Sequence, residues 1–107
     1  MKPLSRDSLV NNLSKGGFPD KIKAARDLVR QAKAIDPTFI AQEARSIKGD
    51  FILIGGARQP GLKNVLIIRQ DGSVLRMELD PAKVKPIFGG GTKLFDVDLT
   101  GAEILVP

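Results

Sequence analysis

The chain contains no cysteine, no histidine, no tryptophan and no tyrosine. Without cysteine there is no disulfide, no zinc–thiolate centre and no thiol nucleophile. Without histidine the commonest general base and the commonest metal ligand are both gone. Five phenylalanines make up the whole aromatic content. Most of these are expected in the core, which leaves little for an exposed platform that stacks single-stranded bases. No apolar run approaches the ~20 residues of a membrane span, and the N-terminus lacks the apolar region of a signal peptide. No membrane contact, metal or cofactor is therefore expected.

What is present is an ordinary globular composition: 107 residues, 42% hydrophobic and 27% charged. That length predicts one domain over 1–107, long enough to bury its own core. Seventeen Lys and Arg against twelve Asp and Glu leave a net charge of +5. Such a surplus draws a protein towards polyanions: nucleic acid, anionic lipid or an acidic protein.

The first half has helical signals. In "SRDSLVNNLSKGG", Ser5 can cap, Leu9 and Leu13 recur at helical spacing, and two glycines stop the run. In "DKIKAARDLVRQAKAID", Asp20 can cap and Ile22, Ala25, Val29 and Ala32 form an apolar stripe. Beside that stripe, Lys23, Arg26, Arg30 and Lys33 fall within one ~80° sector of the helix. They read either as a solvated face or as a ridge that follows RNA phosphates. "DPTFIAQEARSIKGD" opens with Asp36 and Pro37, a helix-start signal, and Ile40, Ala44 and Ile47 line one side. A third helix is expected there.

After residue 50 the pattern changes to short apolar or alternating runs. "FILI" at 51–54, "NVLII" at 64–68, "SVLRMEL" at 73–79, "KLFDVDL" at 93–99 and "EILVP" at 103–107 read as strands. Helices first and strands afterwards predict an α+β domain. The helical part, about 5–48, should pack on one face of a four- to five-stranded, mostly antiparallel sheet, about 50–107.

Asp71-Gly72 predicts a two-residue hairpin turn. Closed that way, Ile68 faces Leu75 and Leu66 faces Met77, an apolar side that belongs under the helices. The other side then carries Arg69 with Val74, Ile67 with Arg76, Val65 with Glu78, and Lys63 with Asp80. Arg69 and Arg76 lie diagonally there, within reach of one anion. This predicts a mixed sheet face over an aliphatic floor, with Glu78 on the same strand as Arg76: either a half-exposed face of Arg–Glu pairs lying on aliphatic neighbours or a site that holds a phosphate. The loops carry Arg58 in "GGARQPGLK", and Thr92 and Lys93 in "FGGGTK"; they read either as plain connections or as loops that bring these residues to a phosphate. "FGGGTK" lacks the spacing of a Walker A loop, and Asp96 and Asp98 lack the third ligand of a metal site.

The stretch "KNVLIIRQDGSVLRMELDP" is similar to the central hairpin of the colicin D nuclease domain, and the order of elements resembles the small ribonuclease fold shared by barnase, colicin D and the RelE-type toxins. The similarity covers roughly residues 50–81. It implies a metal-independent endoribonuclease, acting in the cytoplasm on RNA such as tRNA and secreted as part of a larger toxin. It also implies an acidic immunity protein or antitoxin as partner. The colicin D histidine has no counterpart here. The basic residues of RelE-type members suit Arg69, Arg76 and Lys63 better. In that chemistry Glu78 would take the ribose 2′-hydroxyl proton, Arg69 and Arg76 would clamp the phosphate, and Lys63 or Lys93 would protonate the leaving oxygen. Two other readings use the same residues. One is a non-catalytic module binding nucleic acid or an acidic protein. The other is a phage-type assembly protein that buries Val65, Ile67 and Val74 between subunits.

Overall fold

The computed structural model describes residues 2–56, 64–87 and 94–107. Helix α1 (Arg6–Leu13) starts at Ser5, whose hydroxyl accepts the Ser8 N–H at 3.3 Å, and buries Leu9 and Leu13. Helix α2 (Phe18–Ile35) starts at Gly17, earlier than the expected Asp20 cap, with Pro19 in its first turn. Proline is tolerated there because the first-turn N–H groups have no helical partner. Asp20 instead complements the helix dipole from inside that turn.

Seven strands follow among the described residues: β1 (Ile40–Ser46), β2 (Phe51–Gly56), β3 (Asn64–Ile68), β4 (Val74–Glu78), β5 (Val84–Ile87), β6 (Leu94–Val97) and β7 (Glu103–Val106). They form one sheet in the order β5-β6-β1-β2-β3-β4-β7. The architecture is α+β as expected, but the sheet is larger and mixed, because β1 and β6 run parallel. Strand β5 arises in a segment with no strand signal. Its Pro86 cannot donate to a ladder, which suits a strand at the sheet edge.

The expected third helix is strand β1. Asp36 ends α2 rather than starting a helix: its N–H bonds to the Ala32 carbonyl at 2.8 Å. Its carboxylate accepts the Thr38 N–H at 3.0 Å and the Thr38 hydroxyl at 2.6 Å. A residue before proline is pushed away from helical backbone, so Asp-Pro can stop a helix as readily as start one. The following residues fit a period of two as well as one of 3.6. Pairing of residues 40 to 45 with β2, plus the parallel contact to β6, decides between them. The helical part therefore ends at Ile35.

The β3–β4 hairpin is one residue out from the expected register. Ile68 pairs with Val74, Ile67 with Leu75, Leu66 with Arg76 and Asn64 with Glu78. The loop has three residues, not two. The Gly72 N–H bonds back to the Arg69 carbonyl at 2.9 Å, and the Arg69 N–H to the Ser73 carbonyl at 2.9 Å. Only Gly72 takes a positive φ, +92°, whereas the two-residue type I′ turn would demand one at Asp71 as well. The turn is anchored from outside by Lys21. This lysine is buried, and its ammonium donates to the Gly72 carbonyl at 2.5 Å.

A one-residue shift moves every side chain of β4 to the other face. Val74 and Arg76, not Leu75 and Met77, therefore lie on the helix side. One core forms there from Leu9, Leu13, Ile22, Ala25, Leu28, Phe51, Leu53, Leu66, Ile68 and Val74. Leu75 joins Ala44, Ile52, Val65, Ile67 and Val84 in a second core on the opposite face, with Met77, Phe95 and Val97 against it. Val84 stands five places from β4 in the sheet order. In a flat sheet that separation is roughly 24 Å, so the sheet curls and closes this face on itself.

Candidate nucleic-acid interface

The second sheet face is not an open basic surface. Val65 and Ile67 are 0% and 1% exposed within a single chain, so they have no surface left to bury between subunits. Arg69 and Arg76 do not form the expected pair. Arg76 lies on the helix side beside Leu66, while the pleat turns Arg69 to the other side. Arg69 Nε donates to Ser73 Oγ at 2.6 Å, and Ser73 in turn donates to Asp71 from its N–H at 2.9 Å and its hydroxyl at 2.7 Å. These bonds tie Arg69 to the turn. Arg76 and Glu78 do share one face, at the β4–β7 border. There Arg76 Nη2 is 3.5 Å from Glu103 Oε1, and Arg6 Nε reaches the same oxygen at 2.9 Å. Lys63, Arg58, Thr92 and Lys93 lie outside the described residues.

The helix ridge does line an opening. Arg26, Arg30 and Lys33 border a groove of about 230 Å³ between α2 and β1, floored by Val29, Ala41 and Leu53. Lys23 stands exposed one turn before Arg26. Strand β1 contributes Glu43, which receives a two-pronged bond from Arg26 at 2.9 and 2.7 Å. It also contributes Arg45, whose guanidinium lies 5.5 Å from the Phe51 ring centre and 5.7 Å from that of Phe18. The bond from Arg26 holds the Glu43 carboxyl below its ordinary value, with Arg26 and Arg45 charge adding to the effect and partial burial opposing it. Arg30 is paired with Asp27. Five cations thus meet two carboxylates on this side.

No family model matches the chain, and no curated protein or solved structure shows significant similarity to it.

Sequence reasoning found the α2 half of this groove and missed the β1 half. Reading 36–48 as a helix hid that Glu43 and Arg45 alternate onto the face that α2 covers. The period-two pattern of that stretch was the available signal. Arg6 and Glu103 were also missed: they are 97 residues apart, and no local pattern joins them. Among the described residues, no helix is long and apolar enough to cross a membrane.

Proposed function

We propose that this chain is a small basic RNA-binding domain that takes up phosphates along the α2–β1 groove. The observation that carries the reading is the row Arg26, Arg30 and Lys33 along one groove with an apolar floor. Successive phosphates need cations spaced along a line, and i, i+4, i+7 on one helix supplies that line. Arg26 is positioned by Glu43 and stacks beside Phe51 at 5.7 Å from the ring centre, so little of its side-chain freedom is left to lose on binding. The net charge of +5 supports the same class of partner.

The resemblance to small ribonuclease toxins suggests that the bound RNA is also cut. That stronger form rests on Arg76 and Glu78, which share one face, without the Arg69 clamp. An acidic immunity protein would compete for the same cations.

The test is binding to single-stranded RNA at several salt concentrations. Affinity should fall with a log–log slope of about −0.7 per phosphate contacted. Charge reversal of Lys23, Arg30 and Lys33 together should reduce that slope by about two units or more. An unchanged slope would remove the groove from the reading. Incubating total RNA with EDTA tests cleavage separately: intact RNA with normal binding leaves the binding domain and removes the ribonuclease.

A further inference from the structure

A second opening lies on the helix-covered side, between α1 and strands β2 to β4, with a volume of about 200 Å³. It meets the α2–β1 groove at Leu53, which lines both. Its walls are apolar, from Leu9, Phe39, Leu53 and Leu66, and its polar end carries Asn64 and Arg76. Gly55 sets the position of the aromatic wall: a Cβ there would come within 2.9 Å of Phe39 Cζ. The ring therefore lies directly on the glycine, which leaves the space in front of it open.

Three features say what could occupy this cleft. Its volume exceeds the ~150 Å³ that suffices for a benzene ring in an apolar cavity. Among the described residues that line it, Arg76 is the only charged one. Arg76 is also weakly engaged. Its one hydrogen bond among the described residues is the 3.5 Å contact to Glu103, whose carboxylate is held more closely by Arg6 at 2.9 Å. A guanidinium carries five N–H donors in a planar fork that matches a carboxylate. Asn64 is diagonal to Arg76 on the same face, since it pairs with Glu78 while Arg76 pairs with Leu66. Its amide is a second donor at the same end of the cleft.

We infer that this cleft binds a small apolar carboxylic acid, with a body about the size of a phenyl ring seated against Phe39 and Leu66 and its carboxylate on Arg76. A neutral analogue keeps the apolar contact and loses the charge-assisted bonds. An amine brings a cation against Arg76. The site is separate from the α2–β1 groove and does not depend on RNA binding there; it shares Arg76 with the cleavage form of that reading.

The test is amide-resolved NMR titration of the whole chain with 3-phenylpropionate, 3-phenylpropanol and 3-phenylpropylamine. The acid should give saturable shifts at Phe39, Gly55, Asn64 and Leu66, with millimolar or better affinity for so small a ligand. The alcohol should bind about tenfold more weakly and the amine more weakly still. Arg76→Gln should retain the wild-type spectrum elsewhere and bring acid and alcohol to similar affinity. Three outcomes would each overturn the inference: no saturable shift at these residues, an acid-to-alcohol ratio unchanged by Arg76→Gln, or tighter binding of the amine.

Discussion

The two faces of the central strands β1 to β4 are closed by different means. On one face two helices lie across the sheet. On the other the sheet closes on itself, bringing Val84, Phe95 and Val97 over Ile52, Ile67 and Leu75. A helix is a cylinder and leaves seams where it leaves the sheet surface. Both openings described above, about 200 and 230 Å³, are such seams. On the curled side, the crevice beside Ile67 and Asp96 is about 30 Å³, room for about one water molecule. Of these three openings among the described residues, the two large ones lie at helix edges and the small one lies where strand packs on strand.

Truncation of each core gives the largest test of that contrast. Ile67→Ala in the curled core and Leu13→Ala under the helices should each cost ~2–5 kcal/mol, because both residues are fully buried. Both should shift one common urea transition. A separate early transition for Ile67→Ala would mean that the curled face is a loosely attached layer. A smaller effect is expected at the join between α2 and the β3–β4 turn. Lys21→Met removes the partner of the Gly72 carbonyl and should cost ~1–3 kcal/mol. Lys23→Met, on the exposed side of the same helix, should stay within ~0.5 kcal/mol. Equal effects would show that Lys21 is not an anchor.

The smallest effect concerns pH at the seam. Glu43 has a folded pKa below its ordinary 4.5, chiefly through its bond from Arg26. A group depressed on folding stabilises above its unfolded value and loses that contribution as pH falls through its folded value. Stability should therefore drop as pH falls below 4.5. Glu43→Gln should flatten the part due to this pair, worth no more than ~1 kcal/mol for an exposed ion pair. Acid sensitivity unchanged in that variant would assign it to other carboxylates. Asp36, Asp71 and Asp98 are candidates, since each is held below its ordinary value by bonds from a Thr or Ser two residues on.

Much of this fold was legible because period is a local property. Leu9 and Leu13, the α2 stripe, and the apolar runs of β2, β3 and β4 all announce themselves within a few residues. The run "IAQEARS" did not, since Ala, Gln, Glu and Arg favour helix and its spacing fits either period. What decides it is a partner on each side, β2 and β6, and β6 lies about fifty positions away. The register error has a different source. Asp-Gly suits a two-residue loop and a three-residue loop alike, and only the backbone at Asp71 separates them. That single angle placed Arg76 on the helix side and dissolved the expected arginine pair. For the groove, the cations of α2 were legible, but their counter-charge on β1 was not.

The parallel contact of β1 with β6 also bears on how the chain reaches this state. Arg45 pairs with Leu94 and Ser46 with Phe95, and Arg6 meets Glu103. Neither contact can be made until the antiparallel strands between the partners have been drawn together, so the loop-closure entropy falls due before the contacts return anything. The helices and the β3–β4 hairpin can form on local information alone. Contact order predicts that closure of the curled face comes late, which would leave the apolar side chains of β1 to β4 uncovered on one side until then. A nascent chain in that half-closed form would present a sticky sheet to its neighbours, so the step that completes the second core also protects against aggregation.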